Sequence, residues 1–294
     1  MGLGLLHGFT GDGLRPLVWL HATTAYLLLG ALPLLFLALV RKKPVEIGLC
    51  TLTLLLWAWF NRPPLSFGGV DSEPALRVVS ANTLMVNPSP EALVEEVLGY
   101  QADVLLFQEF TPAIRSAMEG SDYPYRLEHP AQHSFGIGLY SRYPITSERL
   151  IQIGGVDWQR VVLAVDGRSV EVWNVHTLPP VSARYHRDWL GQIAVVAAEA
   201  RKVQGPLVVA GDFNLTRHHQ GYAQLTEVLV DAHRDCGRWV ASTWPAGGFL
   251  FGGGPEIKLD YVFLGGGVRC SRIAEGIGVG SDHRPLIADV VLPR

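Results

Sequence analysis

Apolar positions along this chain follow two patterns. Residues 17–40 form a run of 24 positions without a charge, and residues 47–60 form a second run of 14. At about 1.5 Å of rise per residue the first run exceeds a hydrocarbon core of roughly 30 Å, so it predicts a transmembrane helix over about 17–40. Pro33 lies inside it, which lipid tolerates as a kink. The second run is shorter than the roughly 17 residues a span needs. Val45 extends it past Glu46, however, and Trp57, Trp59 and Phe60 at its end read as an interfacial aromatic belt. It therefore predicts a short second span over about 45–60, or else a helix lying in the interface. Arg41, Lys42 and Lys43 make a basic turn between the runs. The positive-inside rule puts that turn in the cytoplasm and everything after Phe60 on the outer face. A cleaved signal peptide fits less well, because the first run is too long and its flank carries only Arg15.

Residues 63–74 are rich in Pro, Gly and Ser and read as a linker between an anchor over 1–62 and a domain over 75–294. In the domain the periodicity shortens. Residues 76–81 (LRVVSA), 103–107 (DVLLF) and 206–210 (PLVVA) are buried-type strands. Further strands are read at 136–140, 160–165, 169–175, 259–264 and 286–291, with Asp166-Gly167 as a hairpin turn. Leu93, Val94, Val97 and Leu98 recur at helical spacing between Ser89 and Gly99, and helical patterns recur at 111–118, 183–203 and 222–229. Alternating strands and helices, with hairpins among them, predict a layered α/β domain with sheets inside and helices outside.

Composition sharpens this division. The chain is 48% hydrophobic and 17% charged, with a mean hydropathy of +0.21, against about 25% charged residues in ordinary soluble domains. The deficit belongs to the first sixty residues. From Val70 onward lie 19 of the 24 basic and 25 of the 27 acidic residues, a formal charge of −6. A protein that grips duplex DNA shows a basic footprint, and no basic run exists here.

The polar residues with chemical potential gather at predicted strand ends. Asn82 follows LRVVSA, Glu109 follows DVLLFQ, His176 follows EVWNV, and Asp212 and Asn214 follow PLVVAG. Asp260 lies in KLDYVF, and Asp282-His283 stands just before the last strand. Carboxylates at strand ends are held rigidly, as a metal site requires. Oxygen and amide ligands without thiolates suit a hard cation such as Mg²⁺, Mn²⁺ or Ca²⁺.

Asn82, the QE at Gln108-Glu109, His176 in NVHTLP, GDFN at 211–214, LDY at 259–261 and SDH at 281–283 occur in this order. Together they resemble the endonuclease/exonuclease/phosphatase superfamily, over nearly the whole stretch from Leu76 to Arg294. The resemblance implies an α/β fold, a four-layer sandwich of two packed mixed sheets flanked by helices. It also implies a divalent cation, normally Mg²⁺, held chiefly by Glu109. Asn82 would contribute to the metal or phosphate network, and Asp282 is a further candidate ligand. By the same resemblance Asp212 orients or deprotonates the attacking water, Asn214 holds a phosphate oxygen and His283 faces the scissile phosphate. Asp260 fixes the tautomer of His283, and His176 is the second histidine of the DNase-like members. The expected activity is hydrolysis of a phosphodiester or phosphomonoester. The substrate is a phospholipid or a nucleic acid, met by an integral membrane protein whose catalytic domain is extracytoplasmic. The alternatives are a non-specific nuclease of the same fold and an inactive membrane-anchored binding module. Nothing points to an obligate protein partner beyond the lipid bilayer.

The remaining features are read as follows. His218-His219 invites a metal reading but follows GDFNLTR in a surface-type loop and is expected in solvent. Tyr140 and Arg142 stand where relatives line the cleft, and Arg184 and His186 could meet phosphate from a helix start or face solvent. The loop 241–256, with Trp244, Phe249, Leu250 and Phe251 among glycines, could dip into a bilayer, cover substrate or pack on the domain. Lys258 occupies a position where the family usually has Arg, and Asp260 could pair with it. Cys50 lies in the second apolar run, which leaves Cys236 and Cys270 as the pair an oxidising compartment could join.

Overall fold

The computed structural model describes residues 11–23, 26, 29–60, 69–238, 241–248 and 257–293. Strands alternate in side-chain direction with a period of two, so a strand buried on both faces must serve two cores. This is the case for β1 (Leu76–Asn82), β2 (Val104–Gln108), β7 (Arg168–His176) and β8 (Leu207–Asp212). Val78, Val104, Leu106, Val170, Val172, Val208 and Ala210 point into one cluster between two sheets. Their neighbours Val79, Leu105 and Phe107 face α4 (Pro90–Gly99) and α5 (Pro112–Ala117). Trp173, Val175 and Val209 face α6 (Ala183–Ala200) and α7 (Gln220–Thr226). The result is the expected four-layer sandwich, with helices outside and two sheets inside.

Among the described residues each sheet has six strands. The order is β11-β12-β1-β2-β4-β3 in one and β5-β6-β7-β8-β10-β9 in the other. The remaining strands are β3 (Tyr125–His129), β4 (Ile137–Ser141), β5 (Ile145–Ile153), β6 (Val156–Val165), β9 (Val230–Asp231), β10 (Asp260–Gly265), β11 (Arg269–Glu275) and β12 (Leu286–Val291). Each sheet is built around one parallel pair, β1–β2 or β7–β8, and the other pairings are antiparallel. The predicted turn at Asp166-Gly167 joins β6 to β7, with both residues at positive φ. The hydrophobic pattern does not mark strands β3, β5, β9 and β11.

The disulfide between Cys236 and Cys270 is formed, with Cα atoms 5.5 Å apart. It ties α8 (Ala232–Asp235), which follows β9 of one sheet, to β11 of the other. Residues 63–68 of the predicted linker lie outside the described residues. Its end is held down, since the Val70 amide donates to the Cys270 carbonyl at 3.0 Å.

The first apolar run departs from expectation. In place of one helix over 17–40, the structure has α1 (Arg15–Ala22), a turn at Thr23 and, after Gly30, α2 (Ala31–Val40). The Thr23 hydroxyl donates to the Trp19 carbonyl and helps end α1. Val18 is buried in the cluster between sheet and α6, so α1 uses its apolar side against the domain. Pro33 falls in the first turn of α2, where its missing N–H costs nothing, and no kink arises. The second run is one helix, α3 (Pro44–Phe60), joined to α2 by the basic turn. No helix among the described residues is long and apolar enough to cross a membrane.

Candidate active site

The inward faces of both sheets are apolar through their middle and turn polar at one end. Asn82 is in register with Gln108 at the ends of β1 and β2, His176 with Asp212 at the ends of β7 and β8, and Asp260 opposite Asp212 on β10. Parallel pairing sets Asn82 beside Gln108 and His176 beside Asp212, and the packing of the two sheets then brings Asn82 to Asp212, 130 residues away. Just below this edge the sheets are joined by a buried amide network. Gln108 donates to the Asn174 side chain at 2.6 Å, and Asn174 donates to the carbonyls of Phe107 and Gly138. Gly211 permits the close approach of β7 to β8, since at its φ of +145° a Cβ would lie 1.8 Å from the Val175 carbonyl oxygen.

Asp212 is the hub. One carboxylate oxygen accepts from the Asn214 amide at 2.8 Å and the other from the Asn82 side chain at 3.1 Å. That second oxygen lies 3.7 Å from His176 Nε2 and 3.8 Å from His283 Nε2. His283 Nδ1 is bonded to Asp260 at 2.9 Å. Asp212, Asp260 and His283 each offer one ligand atom within 4.8 Å of the others, but the His283–Asp260 bond already accounts for that closeness. Burial pushes the Asp212 carboxyl up to about 7, against the opposing pull of His283. Burial works against the His283 imidazolium, yet the charges of Asp260 and Asp212 outweigh it and lift it to about 10. His176, buried and facing the charged His283, is lowered to about 4 and is neutral. The site thus holds one cationic and one neutral histidine around a carboxylate poised near neutrality.

Glu109 sits beside this group at a φ of +53°, a conformation that non-glycine residues seldom adopt and that clusters at functional sites. The Met85 amide donates to its carboxylate at 2.7 Å. Burial raises its pKa, opposed by that bond and by the charge of His283, and the nearby Asp282 charge raises it further. Two carboxylates within Coulombic reach of each other suit a cation between them. Asn82, Glu109 and Asp282 offer oxygen ligands only, which fits a hard divalent ion.

Residues given no role in the sequence reading also take part in the site. Trp244 donates its indole N–H to Asp282 at 2.9 Å, and the Ala246 amide donates to the Asp282 carbonyl. The Thr243 hydroxyl accepts from the amides of Leu259 and Asp260, and Ser281 donates to the Asn82 carbonyl, tying the SDH loop to β1. The first part of the loop 241–256 therefore packs against the site, while Phe249, Leu250 and Phe251 lie outside the described residues. Asn214 donates to the Thr177 carbonyl at 2.8 Å, joining the loops after β7 and β8.

Several expectations are corrected. Tyr140 is fully buried with its hydroxyl on Glu128, and Arg142 stacks over Tyr123 near the end of β4 away from Glu109, so neither lines the cleft. Lys258 pairs with Asp231 at 3.0 Å rather than with Asp260. His219 is buried, not solvated, and His186 contacts the Asp12 carbonyl. Arg184 is exposed and pairs with Asp188.

The sequence model of the Endonuclease/Exonuclease/phosphatase family matches residues 79–283, well over half of the chain. The chain belongs to this family. Its members are hydrolases acting on phosphodiester bonds. A search of curated proteins finds no match. Among solved structures, the chain is similar to an endonuclease/exonuclease/phosphatase from Beutenbergia cavernae at 18% identity and a TM-score of 0.57, covering 74% of this chain and 71% of that one. It is similar to a family member from Bacteroides vulgatus at 18% identity and a TM-score of 0.57, covering 74% and 99%. D. rerio TDP2 complexed with a single-strand DNA product aligns at 16% identity and a TM-score of 0.62, covering 74% and 98%. At these identities the structural likeness speaks for the fold.

Proposed function

We propose that this chain is a divalent-metal-dependent phosphoesterase, held at a membrane by its N-terminal helices, that hydrolyses a phosphodiester or phosphomonoester by in-line attack of water. The observation that carries the reading is the Asp212 carboxylate, within 4 Å of His176 and His283 and bonded to Asn82 and the Asn214 amide. Glu109, Asn82 and Asp282 would hold the cation, Mg²⁺ or alternatively Mn²⁺ or Ca²⁺. When bound it neutralises charge on the phosphoryl oxygens. Asp212 orients the water and accepts its proton. His283, kept protonated by Asp260, stabilises the anionic transition state, and Asn214 holds a phosphate oxygen. His176, neutral and beside Asp212, shapes the same pocket.

The membrane reading draws on the α2–α3 hairpin. Leu34, Phe36, Val40, Leu49, Leu55 and Trp59 stand exposed on it, a surface that water disfavours and lipid accepts. At 17 residues α3 is about 25 Å long, near the lower limit for a span. The disulfide favours an oxidising outer compartment, in keeping with a cytoplasmic basic turn. A phospholipid is the preferred substrate class, since the domain is acidic. The second reading, a nuclease, draws on the TDP2 structure with its DNA product.

The test incubates the full-length chain with a bis-nitrophenyl phosphodiester, plasmid DNA and phospholipid vesicles side by side. Expected are Mg²⁺-dependent hydrolysis suppressed by EDTA, flotation of the protein with the vesicles, and turnover of lipid rather than DNA. Hydrolysis indifferent to EDTA contradicts the metal assignment, and cleavage of DNA alone selects the nuclease.

A further inference from the structure

Residues 11–22, a single 3₁₀ turn (Gly11–Gly13) followed by α1, lie against the outer helices of the β7–β8 sheet. The attachment is polar as well as apolar. His186 Nε2 is 2.7 Å from the Asp12 carbonyl oxygen, and the Gly221 amide donates to the Asp12 carboxylate at 2.8 Å. His219 Nε2 is 2.9 Å from the Val18 carbonyl oxygen, and Arg15 donates to the Val181 carbonyl at 3.1 Å. Asp12, Val18, His21 and Ala22 are all buried. Gly11 has a φ of +51° and packs on Gln220. The α2–α3 hairpin begins only beyond this segment.

The receiving groups stand on or just after the two loops that leave the site. Val181 follows β7, the strand that ends in His176, and His219 and Gly221 follow β8, which ends in Asp212. His219 leads back to the chemistry by two routes. Its Nδ1 accepts from the Thr216 amide at 2.8 Å, and its ring meets Trp189 edge-on at 5.5 Å between centroids. Trp189 Nε1 in turn donates to the Phe213 carbonyl at 3.1 Å, the residue between Asp212 and Asn214. Since His219 accepts at Nδ1, its Nε2 carries the proton and donates to Val18.

We infer that residues 11–22 form a strap that positions the loops after β7 and β8, so that full turnover at the Asp212 site depends on the strap being docked. The inference rests on the phosphoesterase reading for the reaction it modulates. His186, His219 and Trp189 are positioning residues, acting through the loop backbone. With the strap displaced, His219 loses the carbonyl that fixes its ring. Trp189 then gains access to water, and the peptide bearing Asn214 loses part of its support. Misplacement of about 1 Å costs up to about a hundredfold in rate, so a loosened loop should cost about tenfold.

The test uses the full-length chain in detergent. Val18→Asp places a charge in an apolar site and substitutes no residue of the domain itself, and hydrogen exchange reads 11–22 and 213–219 separately. Expected are faster exchange in both segments and a fall of about tenfold in kcat on the bis-nitrophenyl phosphodiester, with KM changed less than about twofold. His219→Gln, whose amide can accept and donate, should keep most of the kcat that His219→Ala loses. The inference is overturned if Val18→Asp frees 11–22 while exchange at 213–219 and kcat stay as in the wild type, or if 11–22 already exchanges freely in the wild type. A wild-type chain that hydrolyses no phosphoester removes the phosphoesterase reading, and the exchange data then still decide whether the strap holds the loop.

Discussion

In the proposed reaction Asp212 and His283 carry opposite requirements. Asp212 must be a carboxylate to take a proton, and burial holds its pKa at about 7. His283 must remain an imidazolium, and Asp260 with Asp212 holds it at about 10 despite burial. Activity should therefore rise as pH passes through about 7 and fall through about 10, with a bound cation moving the lower limb to more acid pH. A pH profile of kcat/KM checks this, and a profile flat from 6 to 11 contradicts the assignment. The linkage to stability has a definite sign. His283 is raised above its ordinary value, so its imidazolium contributes fully below about 6.5, and the contribution is lost as pH rises through about 10. The positions gathered at this edge were legible because each motif lies at the end of a strand, at its start or just outside it. The Trp244–Asp282 pair was not, since the indole reaches its partner from 38 positions away. His219 was misplaced for the same reason, as its partner Val18 lies 201 positions off.

At the level of elements, the central strands were legible and the edges were not. β2 and β8 are continuous apolar runs because both faces are buried. β5 (ITSERLIQI) and β3 (YRLEH) are edge strands with exposed, mostly polar positions, and β11 (RCSRIAE) is an edge strand interrupted by a register shift at Cys270. Charged, irregular edges resist further pairing and leave little periodicity to read. The disulfide joins one such edge to the opposite sheet and closes 34 residues of chain. Chain-entropy arguments give such a closure about 3–4 kcal/mol. Denaturant unfolding with and without reductant should show a loss of about that size. An unchanged midpoint would show that the bridge does not constrain the unfolded chain.

For the whole molecule, apolar composition marked the N-terminal region correctly as exceptional but assigned its first helix to the wrong partner. An apolar face suited to lipid and one suited to a domain surface look alike in sequence, and Asp12, lying beyond the run, gave no sign that it bonds Gly221. The structure divides the region into a segment packed on the α/β sandwich and a hairpin whose apolar residues remain exposed. The central claim is that one end of this sandwich hydrolyses phosphoesters through Asp212 and His283. Its most direct test is the rate of nitrophenol release from a bis-nitrophenyl phosphodiester with Mg²⁺ by the wild type, Asp212→Ala and His283→Ala, each shown folded by circular dichroism. The account predicts that each variant loses about 10²- to 10⁴-fold in kcat. Wild-type rates in both folded variants would contradict it.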